Sequence, residues 1–209
     1  MFFIKEIILE RDKIIFTKEK LIYSLFENEK YERLIKGWVK IIIKDQTMAI
    51  TRMEALKEPS RKALENIINK NFFIAQDKLF HHIFDKTNKL LIIYSVEKPA
   101  LLDKIVENAT VKHVIPYEVF LVNKYKKKIK GNNGIIFYIS KGKLMVLGLF
   151  NKNLVFTRKY TEIKIESFKT ALREYKKENL IDKNFSVIFE GETNMISSNS
   201  INQLNEELR

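Results

Sequence analysis

Between Gly134 and Tyr160 the chain reads GIIFYISKGKLMVLGLFNKNLVFTRKY, three apolar runs parted by two polar turns. Ile135 to Ile139, Leu144 to Phe150 and Leu154 to Arg158 are short and rich in β-branched and aromatic residues. Ser140-Lys141-Gly142-Lys143 and Asn151-Lys152-Asn153 lie between them. Runs of this length bounded by such turn residues predict an antiparallel meander. The period then changes. Ile165, Phe168, Leu172 and Tyr175 recur at spacings of three and four, which predicts a helix over 164–178 with one apolar stripe to lay on the sheet. Phe185 to Phe189 reads as a further strand.

The N-terminal part repeats this order. Phe2 to Leu9, Lys13 to Thr17 and Leu21 to Phe26 read as strands with charged turns, a polar segment from Asn28 to Lys36 follows, and Val39 to Ile43 is strand-like. Three antiparallel strands, a helix and a strand make one lobe of the ribonuclease H or actin type. Two such lobes predict an α/β chain with a two-lobed actin-like (ribonuclease H-like) fold. The middle of the chain predicts an inserted helix-hairpin-helix subdomain. Met48 to Met53 is extended, and Glu58-Pro59-Ser60 punctuates the chain before a helix with an apolar face of Ala63, Leu64, Ile67 and Ile68, ended by Phe72-Phe73-Ile74. Lys78 to Asp85 and Lys89 to Val96 form a hairpin around Lys86-Thr87-Asn88. Pro99 opens a helix whose buried stripe is Leu101, Leu102, Ile105, Val106 and Ala109. Val111 to Ile115 is a short strand, and Pro116 begins a helix over Tyr117 to Tyr125. The expected division is a first lobe at 1–58, the insertion at 59–110, a connecting strand and helix at 111–133, and a second lobe at 134–209. At the end, Ser200 and Gln203 have capping-box spacing, and Ile201, Leu204 and Leu208 form a stripe that would dock on the second lobe.

Composition narrows the classes. With 209 residues, 45% of them hydrophobic, and with 15 Phe and 8 Tyr, the chain folds and can bury one sizeable core or two small ones. The absence of cysteine excludes disulfides and thiolate metal sites and fits a reducing compartment. No apolar run approaches the ~18 residues that would span a bilayer. The start, MFFIKEIILE, lacks the layout of a signal peptide. The expected location is the cytoplasm, with any anchor outside these residues. The net charge of +12 is mostly scattered among Glu and Asp. One dense cluster stands out, Lys124, Lys126, Lys127, Lys128 and Lys130, leading into Gly131-Asn132-Asn133-Gly134 as a helix end and exposed loop. A solvated loop is the plain reading, and an anionic partner or membrane surface the functional one. Aromatics interleaved with arginine, the mark of single-strand binders, are missing around it, so nucleic acid is not the expected partner.

The runs ALENIINKNFFIAQDKLFHHIF, LLIIYSVEKPALLDKIVENATVKHVIPYEVFLV, GIIFYISKGKLMVLGLFNKNLVFTRKY and FSVIFEGE resemble the cytoplasmic actin-like domains of the GspL/PilM family, the inner-membrane platform proteins of type II secretion and type IV pilus machines. The likeness covers most of residues 60–192 and lies in element order and apolar positions. It implies a non-catalytic scaffold that recruits the assembly ATPase at the inner face of the bacterial inner membrane, in a secretion, pilus or DNA-uptake system. The implied partners are that ATPase and other platform proteins. A homodimer stays open, and no cofactor is expected. The candidate contact residues are Lys124, Lys126, Lys127, Lys128 and Lys130. The alternatives are a divergent actin-like ATP-binding protein and a nucleic-acid binder through Lys124–Lys130.

Actin-like ATPases hold phosphates at two hairpin tips, where Asp positions the metal and Gly lets backbone amides approach the anion. Here the first tip reads Glu10-Arg11-Asp12-Lys13, without glycine. The second carries Tyr138-Ile139-Ser140 where nucleotide-binding relatives would have Asp, an apolar residue and Gly. Six glycines are too few for the usual nucleotide loops, and Gly191 in FEGE reads as a turn. That favours the nucleotide-free, GspL-like variant. His81 and His82 point to opposite faces of a strand and cannot share a metal, and His113 lies far along the chain. Glu6 and Glu10 are the carboxylates a ribonuclease H-type site would use, but Tyr138 and Ser140 give them no partner in the second lobe. Glu65 and Asp77 read as cap or surface residues. Ser24, Ser95 and Ser140 have no histidine nearby in sequence.

Overall fold

The computed structural model describes residues 4–10, 13–24, 35–44, 46–72, 77–179, 185–196 and 204. Two compact units divide the chain, residues 1–120 and 121–209. Of the expected elements, Phe2 and Phe3, most of the polar segment after Leu21 to Phe26, and all of the C-terminal stripe except the buried Leu204 lie outside the described residues.

In the first unit, β1 (Lys5–Glu10), β2 (Lys13–Phe16) and β3 (Leu21–Ser24) form an antiparallel meander. β4 (Trp38–Lys44) runs parallel to β1, giving the strand order β3-β2-β1-β4. A fifth strand, β8 (Thr110–Pro116), runs parallel to β4 and completes the sheet. One face buries Ile7, Leu9, Ile14, Phe16, Ile41 and Ile43. On the other, the register lines up Ile22, Ile15, Ile8, Ile42 and Ile115 in a row across all five strands. Burial is graded along that row, from Ile42 at 0% exposed to Ile22 at 61%. The β-branched side chains suit a pleated surface because they fill it with little rotamer freedom to lose.

The insertion is built on a second, three-stranded sheet. β6 (Lys78–Asp85) and β7 (Leu90–Glu97) form the expected hairpin, and β5 (Ala49–Glu54) adds to the far side of β7, giving the order β5-β7-β6. Asp85 holds the hairpin turn, because its carboxylate accepts the Thr87 and Asn88 amides and the Asn88 side chain. Helix α1 (Arg61–Asn71) starts at Ser60, whose hydroxyl caps the Ala63 amide. Its Ala63, Leu64, Ile67 and Ile68 face is only half covered, so no residue of it is buried. Helix α2 (Leu101–Asn108) buries Leu101, Leu102 and Ile105. Val106, expected on the same stripe, is 52% exposed, because the buried face is narrower than the sequence stripe.

Helix α3 (Tyr117–Tyr125) spans the division between the units. In the second unit, β9 (Gly134–Ser140), β10 (Lys143–Phe150) and β11 (Asn153–Tyr160) are the meander, and β12 (Ser186–Gly191) runs parallel to β9. The order β11-β10-β9-β12 repeats the first four strands of the first sheet. Helix α4 (Ile165–Asn179) covers one face with Phe168, Ala171, Leu172 and Tyr175. Phe168 meets Phe137 at 4.9 Å between ring centroids, and Phe137 meets Phe189 at 5.3 Å. Tyr175 sits over Gly148, where a Cβ would lie 2.4 Å from its ring, and its hydroxyl donates to the Leu149 carbonyl. A glycine is needed there, at a register shift in β10.

Candidate functional site

The β9–β10 tip is where the resemblance would put a phosphate. β9 runs unbroken to Ser140, then Lys141 (φ 52°) and Gly142 (φ 70°) turn the chain in the left-handed region, and Lys143 pairs back with Ser140. Tyr138 is therefore an ordinary strand residue, its ring 6.4 Å from that of Tyr125. Gly191 is the last residue of β12 rather than a free turn, in register with Ile139. Its φ of 87° and the Ile139 carbonyl oxygen, 2.1 Å from where a Cβ would stand, admit only glycine. The chain is thereby brought against the end of β9. The Glu192 amide donates to the Ile139 carbonyl at 3.0 Å, and the Glu192 carboxylate accepts the Lys141 amide at 2.8 Å. That tip amide is bonded to a carboxylate of the same chain. Sequence reasoning missed Glu192, 51 positions from its partner; the one available signal was an acidic residue directly after a strand-ending glycine.

At the first tip Glu10 pairs with Lys13 across β1 and β2, while Arg11 and Asp12 lie outside the described residues. The two β1 carboxylates meet lysines of β4. Glu6 bonds the Lys40 ammonium at 2.9 Å and Glu10 the Lys44 ammonium at 3.0 Å. Those ammoniums also lie 5.2 Å from the Phe120 ring and 5.4 Å from the Tyr117 ring, so α3 packs on both pairs. Among the described residues no three His, Asp or Glu side chains come together in a way that would hold a metal ion. Glu65 pairs with Arg61 one turn away, and Asp77 precedes β6.

The five lysines do not form one even patch. Lys124 lies in the last turn of α3, Lys126, Lys127 and Lys128 form a short 3-10 turn, and Ile129 is buried before Lys130. The Lys128 ammonium pairs with Glu190, whose side chain is only 14% exposed. Lys126 donates to the Asn123 side chain at 3.0 Å. The ammoniums of Lys124 and Lys128 both lie over the Tyr125 ring, at 5.1 and 5.3 Å. The Lys130 carbonyl accepts the Ser186 hydroxyl at 2.6 Å, which ties the loop to β12. Lys127 and Lys130 are left as the exposed ammoniums of the cluster with no bond to another described residue. The expected exposed loop is thus a half-anchored turn.

His81 and His82 stand on β6 and face opposite ways. His81 stacks on Tyr94 at 5.8 Å and lines a shallow crevice with Ile43, Phe80, Val96, Val114 and Pro116. Burial first, and then the neighbouring His82 imidazole, hold its pKa below the ordinary histidine value. Burial likewise pushes the Tyr94 hydroxyl well up, so it stays protonated. Ser95, also buried on β7, has a hydroxyl with no partner among the described residues. None of these groups is arranged as nucleophile and base.

No family model matches the sequence, and no curated protein does. Solved structures do match. A Bacteroides thetaiotaomicron protein, described as having an actin-like ATPase fold and unknown function, superposes with a TM-score of 0.57 at 14% identity, over 98% of this chain and 88% of that one. The cytoplasmic domain of EpsL, an inner-membrane component of the type II secretion system of Vibrio cholerae, superposes with a TM-score of 0.48 at 11% identity, over 98% and 93%. A likeness at that lower score supports no argument here, while the first agrees with the repeated strand order. The chain has the actin-like fold.

Proposed function

We propose that this chain is a non-catalytic scaffold, similar to the cytoplasmic domains of the GspL/PilM family, that recruits an assembly ATPase to an inner-membrane platform. The membrane machine would be a secretion, pilus or DNA-uptake system. The observation that supports the non-catalytic half is the second hairpin tip, where Tyr138-Ile139-Ser140 replaces the phosphate-binding pattern and Glu192 occupies the Lys141 amide. A carboxylate there repels a phosphate and competes for its donor. The scaffold half rests on the sequence resemblance. Among the described residues no helix is long and apolar enough to cross a membrane.

Lys127 and Lys130 are the contact residues we favour, since Lys124, Lys126 and Lys128 are engaged within the unit. The test is size-exclusion chromatography with light scattering on the chain mixed with the N-terminal domain of the ATPase encoded beside its gene. A 1:1 complex is expected, with an interface of standard size or smaller. Lys127→Glu with Lys130→Glu should weaken it without moving the melting temperature, because exposed charges add little to stability. Separate elution at tens of micromolar (~10⁻⁵ M), or calorimetric Mg-ATP binding tighter than about 100 μM, would overturn the reading. Salt-dependent retention of nucleic acid would put the Lys124–Lys130 alternative in its place.

A further inference from the structure

We propose that the outer edge of β6 is an interaction surface that pairs, antiparallel and about a two-fold axis, with β6 of a second copy of this chain, joining the two β5-β7-β6 sheets into one continuous sheet. No assembly ATPase takes part in this pairing, so it holds or fails apart from the scaffold function.

The direction of the backbone groups on β6 follows from its bonds to β7. The Lys98 amide donates to the Asp77 carbonyl at 2.9 Å, one step beyond the Lys78–Glu97 pair, so Asp77 and Lys98 are a hydrogen-bonded pair. Such pairs alternate along an antiparallel ladder. Leu79, His81, Ile83 and Asp85 therefore turn N–H and C=O toward β7, while Lys78, Phe80, His82 and Phe84 turn theirs to the outer edge. The Ala55 amide, which donates to the Lys89 carbonyl at 2.8 Å, gives the matching alternation on the β5 side of β7. No described strand pairs with the outer edge of β6. The three described sheets have six edge strands, and the other five are blunted. β3 is only 4 residues long, and β5 carries Arg52 and Glu54. β8 lies beside a register shift and ends on Pro116, β11 lies beside another and carries Arg158 and Lys159, and β12 ends on Glu190 and Gly191. β6 instead runs for 8 residues in unbroken register, and from Leu79 to Phe84 it has no carboxylate, lysine, arginine, proline or glycine. Lys78 to Phe84 are all half-buried, whereas Leu91 to Val96 beside them on β7 are buried.

The occupant is a second copy because the edge complements itself. In two-fold antiparallel pairing a residue meets one from the same face of its strand. Centred on His82, Phe80 lies opposite Phe84 of the second copy and Phe84 opposite its Phe80, the arrangement in which cross-strand aromatic pairs stabilise a sheet. Centred on His81, the same rings would meet His82 and Lys78. An edge without charge from Leu79 to Phe84 gives an acidic or basic segment nothing to pair with.

Sedimentation velocity on the whole chain between about 5 and 500 μM, with amide hydrogen exchange resolved by residue, tests the pairing. A reversible dimer is expected. The Phe80, His82 and Phe84 amides should exchange freely in the dilute monomer and be protected in the dimer, while those of Leu79, His81 and Ile83 are protected in both because β7 holds them. His82→Pro deletes an outward N–H and no bond to β7, and should weaken the dimer about tenfold or more. If that variant misfolds, Phe84→Lys takes its place, since it sets an ammonium against Phe80 of the second copy. Each copy carries a net charge of +12, so added salt should tighten the dimer by screening the repulsion. Four outcomes overturn the proposal: a monomer throughout the range, outward amides already protected in the monomer, which would make the chain itself the occupant, a dimer untouched by the folded variant, or a dimer that salt dissociates.

Discussion

Across the face of the first sheet on which α3 lies, five isoleucines follow one another from β3 to β8, flanked by the Glu6–Lys40 and Glu10–Lys44 pairs. The covered face of the second sheet, with the same order of its first four strands, is packed through rings: Phe137, Phe168 and Phe189 at one place, Phe156 and Tyr175 over Gly148 at another. The first unit carries 21 Lys and Arg against 17 Asp and Glu, the second 17 against 9. One topology is therefore stabilised in two ways. Cross-strand β-branched packing with paired charges holds the first unit, and helix-on-sheet aromatic packing holds the second, whose excess charge is left for the surface. Strand order constrains which positions are buried, and it leaves open what fills them.

The largest effect should come from breaking the isoleucine row where it is deepest. Ile42→Ala leaves a cavity at a fully buried site and should cost about 3 to 4 kcal/mol, whereas Ile22→Ala at the exposed end of the same row should cost no more than about 0.5 kcal/mol. Denaturant unfolding of the two variants measures the gradient, and equal losses would mean that Ile22 is covered. Next comes Gly148→Ala. It drives a methyl group into the Tyr175 ring and should cost about 2 to 3 kcal/mol in the second unit alone. Hydrogen exchange resolves which unit loosens; protection lost from β1 and β4 as well would show that the two units do not unfold independently.

The smallest effect concerns acid. His81 has its pKa lowered in the folded state, so it is neutral in both states above about pH 6.5, the ordinary histidine value, and adds no slope there. As the pH falls below that value the unfolded chain takes up the proton more readily, and stability should decline toward the lower folded pKa. Urea midpoints between pH 7.5 and 5 measure this, and His81→Phe should flatten the decline. A slope unchanged in His81→Phe would assign it to other groups.

Much of the fold was legible because period and turn chemistry are local. The meander after Gly134, the helix on Phe168 and Tyr175, and the start of α3 after Pro116 all follow from residues close in sequence. Pairing is not local. Nothing in Ala49 to Glu54 announces that β7 is its neighbour, and Thr110 to Pro116 gives no sign that it will close the first sheet against β4. The isoleucine row is invisible for the same reason, since each member looks like an ordinary strand residue until the register is known. At the candidate site, Tyr138-Ile139-Ser140 in place of the nucleotide-binding pattern could be read directly, while the Glu192 contact and the Lys128–Glu190 pair join residues 51 and 62 positions apart.

The parallel pairing of β4 with β8 has a consequence for synthesis. About 65 residues, β5 and almost all of the insertion among them, lie between the end of β4 and the start of β8, and at roughly 5–20 residues per second they take on the order of 3 to 13 s to leave the ribosome. Through that interval the outer edge of β4, carrying Ile41, Ile42 and Ile43, has emerged without its partner strand. The β5-β7-β6 sheet can form in the meantime from contacts that are near in sequence. The nascent chain is thus most open to misassociation while residues 45–109 are emerging from the exit tunnel, and translational pauses just after residue 116 has cleared it would shelter the chain where pauses during that emergence would not.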